Sequence, residues 1–295
     1  MKQNNVNDKI LSLAGEQEWI YKFCLPNGLT TPGPELKGQK NVMKARVIQQ
    51  MNLNEKKVLD VGCAEGMFSF YMANEGANVT GIEVNKKRFD KAEFICKQLE
   101  VKNTRFILFD IGNNESWKNL DKHYDIAFCF AILHRISDPF NFIAQLSEKC
   151  ETLVFEWKSP EGFLFDKVSM AFHEVNGKLD PRNIKSRHAL LSEDVMMDSG
   201  EEKPYWNPTV GAVKEITSSF GYKYYVEVKV TKFNLFKVLY SYFRLAFDLI
   251  TKHESQISWR RYKRVMLICS KNTKYSFDSK KRLKRPSWDG TTDLS

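Results

Sequence analysis

The stretch Lys56–Phe70, KKVLDVGCAEGMFSF, reads as a strand running into a glycine turn and then into a helix. Val58, Leu59 and Val61 supply the apolar run, Gly62 and Gly66 punctuate it, and Met67 to Phe70 open a helical pattern. In an open α/β sheet, ligands sit beyond the carboxyl ends of the strands, so this turn is where a nucleotide-like cofactor would be held. Two glycines stand where a dinucleotide fingerprint has three, which raises the question of which cofactor it is.

Working outward, KVLDV, NVTGIE, TRFILFD, YDIAFCF and TLVFEWK read as strands, with MFSFYMANEG, NKKRFDKAEFICKQLE and DPFNFIAQLSEKC as helices among them. Short apolar runs separated by helical patterns predict a parallel sheet covered on both faces. After a polar excursion, helix PTVGAVKEITSSFGY and strands KYYVEVKV and KRVMLICSK complete the series. The expected fold class is α/β, a doubly wound, mostly parallel seven-stranded sheet with cap insertions. Residues 1–55 form a leader, with a Gly/Pro-rich loop (LPNGLTTPGPELKG) and a helix from about Gln39 to Met51. A core over 56–158 follows, then a cap insertion over 159–207, completion of the core over 208–271 and a basic tail over 272–295.

A chain of 295 residues with 42% apolar content can bury one main domain plus additions. The longest apolar run, Ile126–Leu133, is a buried-strand length, far short of the roughly 18 residues a membrane span needs. The amino-terminal MKQNNVNDKILSLAGEQEW lacks the apolar core of a signal peptide. Six scattered cysteines without a CxxC pair read as reduced thiols, neither staples nor metal ligands, in a cytoplasmic protein. The net charge of +9 is uneven. From Lys229 onward there are 16 Lys and Arg against 5 Asp and Glu, while the first 228 residues hold 29 against 31. A localised contact with something anionic, a membrane surface or nucleic acid, is the expectation, beside a solvated tail with no partner.

The first strand ends at Asp60-Val61-Gly62, and Glu83 closes the second strand 23 residues later, where an acid would face the hydroxyls of a ribose. A nicotinamide cofactor wants GxGxxG because its pyrophosphate approaches the backbone closely. Here the spacing is Gly62-Cys63-Ala64-Glu65-Gly66, and Glu65 is expected to repel a pyrophosphate. S-adenosylmethionine has the ribose and adenine, no phosphate, and a positively charged end, so a carboxylate-lined turn suits it.

At this point the chain resembles the class I S-adenosylmethionine-dependent methyltransferases, over roughly Val58 to Lys271. DVGCAEG at 60–66 matches their first motif, with Ala64 at its middle glycine. The resemblance implies that Asp60 and Gly62, with Cys63 and Gly66, border the methionine portion. It further implies that Glu83 binds the ribose and that Asp110, with Ile111 beside it, meets the adenine.

The fourth strand leads into FCFAILHRISDP, which faces the transferring methyl in this fold. No Asp/Asn-Pro-Pro-Tyr-like box stands there, no acidic pair for Mg²⁺ follows, and Cys129 lacks a Cys-Pro partner signature. Amine methylation of bases, metal-dependent catechol chemistry and 5-methylcytosine chemistry are set aside on those grounds, and Cys129 reads as core. His134 is the candidate base or acceptor-orienting group, since a hydroxyl acceptor needs its proton removed and a histidine near neutral pKa can do that. Glu156 is a second catalytic candidate, and Arg135, Tyr205 and Trp206 are candidates for contact with the acceptor. For each, the bland alternative is a polar residue that touches nothing reactive.

AILHRISDPFNFIAQL, LVFEWK, YWNPTVGAVKEITSSFGY and KRVMLIC together resemble, more distantly, the family containing tRNA wobble-uridine carboxymethyltransferases. Tyr205, Trp206, Pro208 and Thr209 fit an aromatic-X-Pro-Ser/Thr segment of those enzymes. They hold an extra carboxylate of the donor with a lysine, a tyrosine and an arginine, matched here to Met43, His134 and Arg264. With two of the three replaced, ordinary methyl transfer is the expectation. In TKFNLFKVLYSYFRLAFDLITKHE, polar residues step by three and four from Asn234 to Thr251, and the rest of the helix is apolar or aromatic. A homodimer partner or its own domain, an apolar acceptor, or an anionic membrane surface met through 231–285 could cover it. The reading is a methyltransferase acting on a hydroxyl or amine of a small molecule, a sugar or lipid-linked glycan precursor. The alternatives are an RNA methyltransferase docking through its basic quarter, and a partner protein that binds the donor without turnover.

Overall fold

The computed structural model describes residues 2–136, 138–159, 189–192, 205–229 and 263–289. Its chain order is α1 (Lys2–Glu16), α2 (Gln39–Ile48), β1 (Lys57–Val61), α3 (Met67–Asn74), β2 (Asn78–Glu83), α4 (Lys86–Gln98), β3 (Thr104–Leu108) and β4 (Tyr124–Phe130). Then come α5 (Pro139–Lys149), β5 (Cys150–Ser159), β6 (Ala189–Ser192), β7 (Tyr205–Pro208), α6 (Val210–Ser219), β8 (Tyr224–Lys229) and β9 (Lys263–Ser270). Seven strands form one sheet in the order β3-β2-β1-β4-β5-β9-β8, and β6 pairs with β7 in a separate ribbon. Strands β1 to β5 are parallel to their neighbours, whereas β9 runs antiparallel to both β5 and β8. The chain order reverses at β1, so the gap between β1 and β4 is the switch point where such sheets bind ligands.

Side chains two apart along a strand share a face, and the sheet sorts them into two cores. Val58, Phe128, Val154 and Met266 pack toward Val47 of α2, Phe70 and Met72 of α3, and Phe23 of the leader. Leu59, Ala127, Phe155 and Leu267 pack on the other face with Phe142 and Ile143 of α5 and Val213 of α6. Each fully buried side chain of this size stabilises the fold by about 1.5–3 kcal/mol. The alternation along β5 sends Leu153, Phe155 and Trp157 to the α5 side and Val154 and Glu156 to the α2 side. Glu156 is thereby forced into an apolar layer, which demands partners for its charge.

Short-range chemistry sets the helix starts. Asn85 accepts from the amides of Lys87 and Arg88 at the head of α4, and Asp138 from Asn141 at the head of α5, with Pro139 in its first turn. Thr209 accepts from Ala212 at the head of α6. α3 begins instead at Gly66, which has φ 81° and no side-chain cap.

The fold departs from the sequence reading in three places. The leader opens with helix α1, which buries Ile10 and Leu13. Ribbon β6–β7 stands within the cap insertion and, through β7, packs against the turn after β4. The tail is laid onto the body over residues 272–289. Gln49 and Gln50, just past α2, exchange paired hydrogen bonds with the backbone of Lys284 and Asp278, and Trp288 stands edge-on to Phe70 and Tyr71. The aromatic helix expected at about 231–256 and most of the cap lie outside the described residues. Among the described residues no helix is long and apolar enough to cross a membrane.

Candidate active site at the carboxyl ends of the parallel strands

Four amides of the turn after β1 are used inside the protein. Those of Gly62 and Cys63 both donate to Ile82 O (2.8 and 3.0 Å), that of Ala64 to Glu83 Oε2 (2.9 Å), and that of Gly66 to Cys63 O (2.9 Å). The turn therefore lacks the row of outward N–H groups that a pyrophosphate would need. Gly62 has φ 68°, and a Cβ there would stand 2.2 Å from Ile132 Cδ1, so only glycine fits. Ala64 takes φ 51°, a left-handed conformation that costs a non-glycine residue about 1–3 kcal/mol.

Asp60 closes the floor of the turn. It is buried, accepts from Ser69 Oγ at 2.6 Å, and is pushed up to a pKa of about 6 by burial, against the pull of Ser69 and Lys44. Glu83 holds the wall, with Oε1 on the amide of Asn85 and Oε2 on that of Ala64, each at 2.9 Å. These two acids leave the turn suited to a cation and not to a phosphate.

Glu65 does something other than expected. It is fully buried and turned away from the crevice, accepting from the amides of Ile20 and Tyr21 at 2.9–3.0 Å. Lys91 Nζ, also fully buried, lies 3.4 Å from it and donates to the carbonyls of Gln17 and Glu18. The repulsion of a pyrophosphate thus comes from Asp60, Glu83 and the spent amides; Glu65 fastens the leader to the turn. That anchor carries Tyr21 over the crevice, edge-on to Phe68 at 5.9 Å. Burial, followed by the charges of Glu65, Asp60 and Glu156, keeps its phenol un-ionised. Nothing in the local pattern points to this, because only the fold brings the leader to the turn.

On the acceptor side, Glu156 Oε1 accepts from Arg264 Nη1 at 2.7 Å, and Oε2 forms an ion pair with Lys44 Nζ at 3.2 Å. Burial opposes ionisation, but Lys44 and Arg264 outweigh it and hold the carboxyl below its ordinary range. In this arrangement Glu156 anchors two cations, and its lowered pKa favours the ionised form. Lys44 also lies 5.3 and 5.2 Å from the ring centroids of Phe68 and Phe130. The matching of an anion-binding lysine to Met43 falls one residue short: Met43 is core, and Lys44 enters the crevice.

His134 sits in a 3-10 turn, Leu133–Arg135, and is 5% exposed with Nδ1 unpartnered. Burial first, then Arg264 and Arg135, push its pKa down to about 3. The near-neutral imidazole that the sequence suggested is replaced by one neutral throughout the physiological range, able to accept a hydrogen bond. Ala131, at φ 59°, donates its amide to Glu156 O at 2.7 Å and so sets the angle of this turn.

The remaining candidates are scattered around this centre. Cys63 is buried beside Gly81, its thiol pushed up by burial. Asp110 is exposed just past β3, accepting from Gly112 N at 2.8 Å, with Ile111 half-buried next to it. Arg135 is exposed. Tyr205 and Trp206 lie on β7, paired with Ser192 and Leu191. Among the described residues no group of three or more His, Cys, Asp or Glu could hold a metal ion.

Sheet order and turn together define an α/β fold of the methyltransferase type. The chain belongs to the methyltransferase domain family, whose model matches residues 52–205. It is similar to the ubiquinone biosynthesis O-methyltransferase of Actinobacillus pleuropneumoniae serotype 7 (strain AP76), 33% identical over 144 residues, which are 48% of this chain and 56% of that protein. The enzyme of the same name from Haemophilus ducreyi is 34% identical over 170 residues, 55% of this chain and 64% of that one. The chain thus spans about half the length of the curated relatives it matches. Among solved structures, the N-terminal domain of EvdMO1, crystallised with SAH and D-fucose, superposes with a TM-score of 0.61 at 12% identity, over 92% of this chain and 97% of that one. The [4+2]-cyclase SpnF superposes with a TM-score of 0.51 at 14% identity, over 92% and 94%. These likenesses concern the fold, which also hosts chemistry other than methyl transfer.

Proposed function

We propose that the protein is an S-adenosylmethionine-dependent methyltransferase acting on a hydroxyl of a small molecule, a sugar or lipid-linked glycan precursor. The observation that carries it is the turn 62–66, with the amides of Gly62, Cys63, Ala64 and Gly66 spent internally, Asp60 at its floor and Glu83 at its wall. Bound there, the donor supplies an electrophilic methyl on a positively charged sulfur. Family membership supports this reading, and a hydroxyl acceptor agrees with the O-methyltransferase names of the curated relatives.

This chain's residues then align and shield. Asp60, ionised, faces the cationic end of the donor; Glu83 keeps lone pairs for the ribose hydroxyls; Asp110 and Ile111 lie at the adenine end. Tyr21 closes the crevice from the leader. Neutral His134 accepts a hydrogen bond from the acceptor hydroxyl and points its oxygen along the line of displacement, where alignment supplies most of the acceleration. Once methylated, that oxygen would be far more acidic than the His134 imidazolium and would pass its proton through the ring to water. Isothermal titration of Asp60→Ala and Glu83→Ala with S-adenosylmethionine tests the donor site. Retained affinity in both would remove the assignment. Incubating lysate fractions with methyl-labelled donor tests the acceptor: label in glycan, lipid or small molecules supports the proposal, and label confined to RNA overturns it.

A further inference from the structure

Among the described residues, the acceptor-side mouth carries more positive charge than its acid, Glu156, balances. Lys40 and Lys44 are one turn apart on α2, Arg135 follows β4, and Lys158 and Arg264 stand directly opposite each other across β5 and β9. Like charges directly opposed across a sheet destabilise it, so an unbalanced pair at the end of two strands calls for an explanation. Lys158 is held below the ordinary lysine range by burial and by the charges of Arg264, Arg135 and Lys40, and Lys44 by burial with the charges of Arg264 and Lys40 among the contributors. The acids in reach among the described residues are Glu156, already holding Lys44 and Arg264, and Asp60 on the donor side of Lys44. Arg264 gives Glu156 a single bond from Nη1, and its side chain keeps 23% of its surface exposed. Arg135 and Lys158 are exposed, and His134, next to Arg135 in the chain, is buried with its Nδ1 unpartnered.

We infer that this mouth binds a phosphate or diphosphate group carried by the acceptor, held by Arg135, Lys158 and Arg264 while the acceptor hydroxyl reaches His134. The inference rests on the methyltransferase reading and narrows its acceptor to a phosphorylated one. A single carboxylate would leave the three outer cations underbalanced; a phosphate monoester near neutral pH carries about −1.5 to −2 and offers three oxygens to a guanidinium fork and an ammonium. The cationic sulfur of the donor does not compete for this site, because Asp60 and Glu83 stand on its own side.

The test uses the full-length chain with inorganic phosphate and pyrophosphate as probes. Titration calorimetry is run at fixed ionic strength, with and without saturating S-adenosylhomocysteine, and acetate serves as the control anion. Pyrophosphate should bind in both states, at least tenfold tighter than acetate. Arg135→Gln/Lys158→Gln should weaken it at least tenfold and leave S-adenosylhomocysteine affinity within twofold, whereas Lys280→Gln/Lys281→Gln/Lys284→Gln on the exposed tail should not weaken it. Acetate binding as well as pyrophosphate, or equal loss in the tail variant, overturns the inference, as does no pyrophosphate binding in either state. Failure of S-adenosylhomocysteine to bind the wild type overturns the methyltransferase reading instead, and is read separately in the same experiment.

Discussion

At Asp60, burial and ligand chemistry pull in opposite directions. The folded carboxyl keeps its proton up to about pH 6, against about 4 in an unfolded chain, so ionising it costs stability as pH rises from 4 to 6. A cationic donor favours the ionised form, and binding below pH 6 must expel the proton. Affinity for S-adenosylmethionine should therefore be flat above pH 6.5 and fall toward tenfold per pH unit below 6, a slope that Asp60→Asn abolishes; a flat wild-type profile from pH 5 to 8 would contradict this role. His134 has the opposite linkage. Its folded pKa of about 3 lies below the unfolded value of about 6.5, so its contribution is complete above pH 6.5 and lost as pH falls toward 3. Denaturant melts should show His134→Asn losing less stability than the wild type between pH 6.5 and 4, by a few kcal/mol at most. The rate should show no inflection from His134 between pH 6 and 8. His134→Ala should lower kcat by about 10–100-fold, and His134→Gln, which keeps an acceptor atom, by less.

Among the elements, the strands were the most legible in the sequence. Apolar runs such as YDIAFCF and TLVFEWK can only be buried strands at that length, and β1, β2, β4 and β5 fall within two residues of the segments read. Legibility fails where the cause is tertiary. α1 has only Val6, Ile10, Leu11 and Leu13 as large apolar residues in a polar stretch, and its helix is held by burying Ile10 and Leu13. Glu65 was misread because sequence adjacency to the turn says nothing about which way a side chain faces. Lys44 was missed because its partner, Glu156, is more than a hundred residues away. That pair supports a prediction of its own. Glu156→Gln leaves Lys44 buried without a counter-charge and should cost about 3–5 kcal/mol, read as a fall in melting temperature. Lys44→Met/Glu156→Gln should recover a large part of that loss. Equal destabilisation in the single and double variants would mean that Arg264, and not Lys44, dominates the cluster.

For the whole molecule, residues 272–289 of the basic tail form a strap across the body. Its cations Lys280, Lys281, Arg282 and Lys284 are exposed, but its backbone is committed to Gln49 and Gln50, and Trp288 and Asp289 pack into the body. Asp289 is 1% exposed, accepts from Tyr71 Oη at 2.6 Å and pairs with Arg285 at 2.9 Å. The carbonyl of Trp288 accepts from the amide of Cys24 in the leader, at 3.0 Å. The leader in turn reaches the donor turn through Glu65, so strap, leader and turn form one connected path. Coupling along it is a claim about energy and needs a measurement of energy. Trp288→Ala should cost about 2–4 kcal/mol, since an aromatic packed on two rings is lost and the hydrogen bonds around Asp289 loosen. If the path transmits, the same variant weakens S-adenosylmethionine binding by three- to tenfold at a temperature where it is still fully folded, and a Glu65→Gln background removes that extra loss. Lower stability with unchanged donor affinity would make the strap a clamp on α2 and α3 alone, and an unchanged melting temperature would mean that Trp288 is not packed as described.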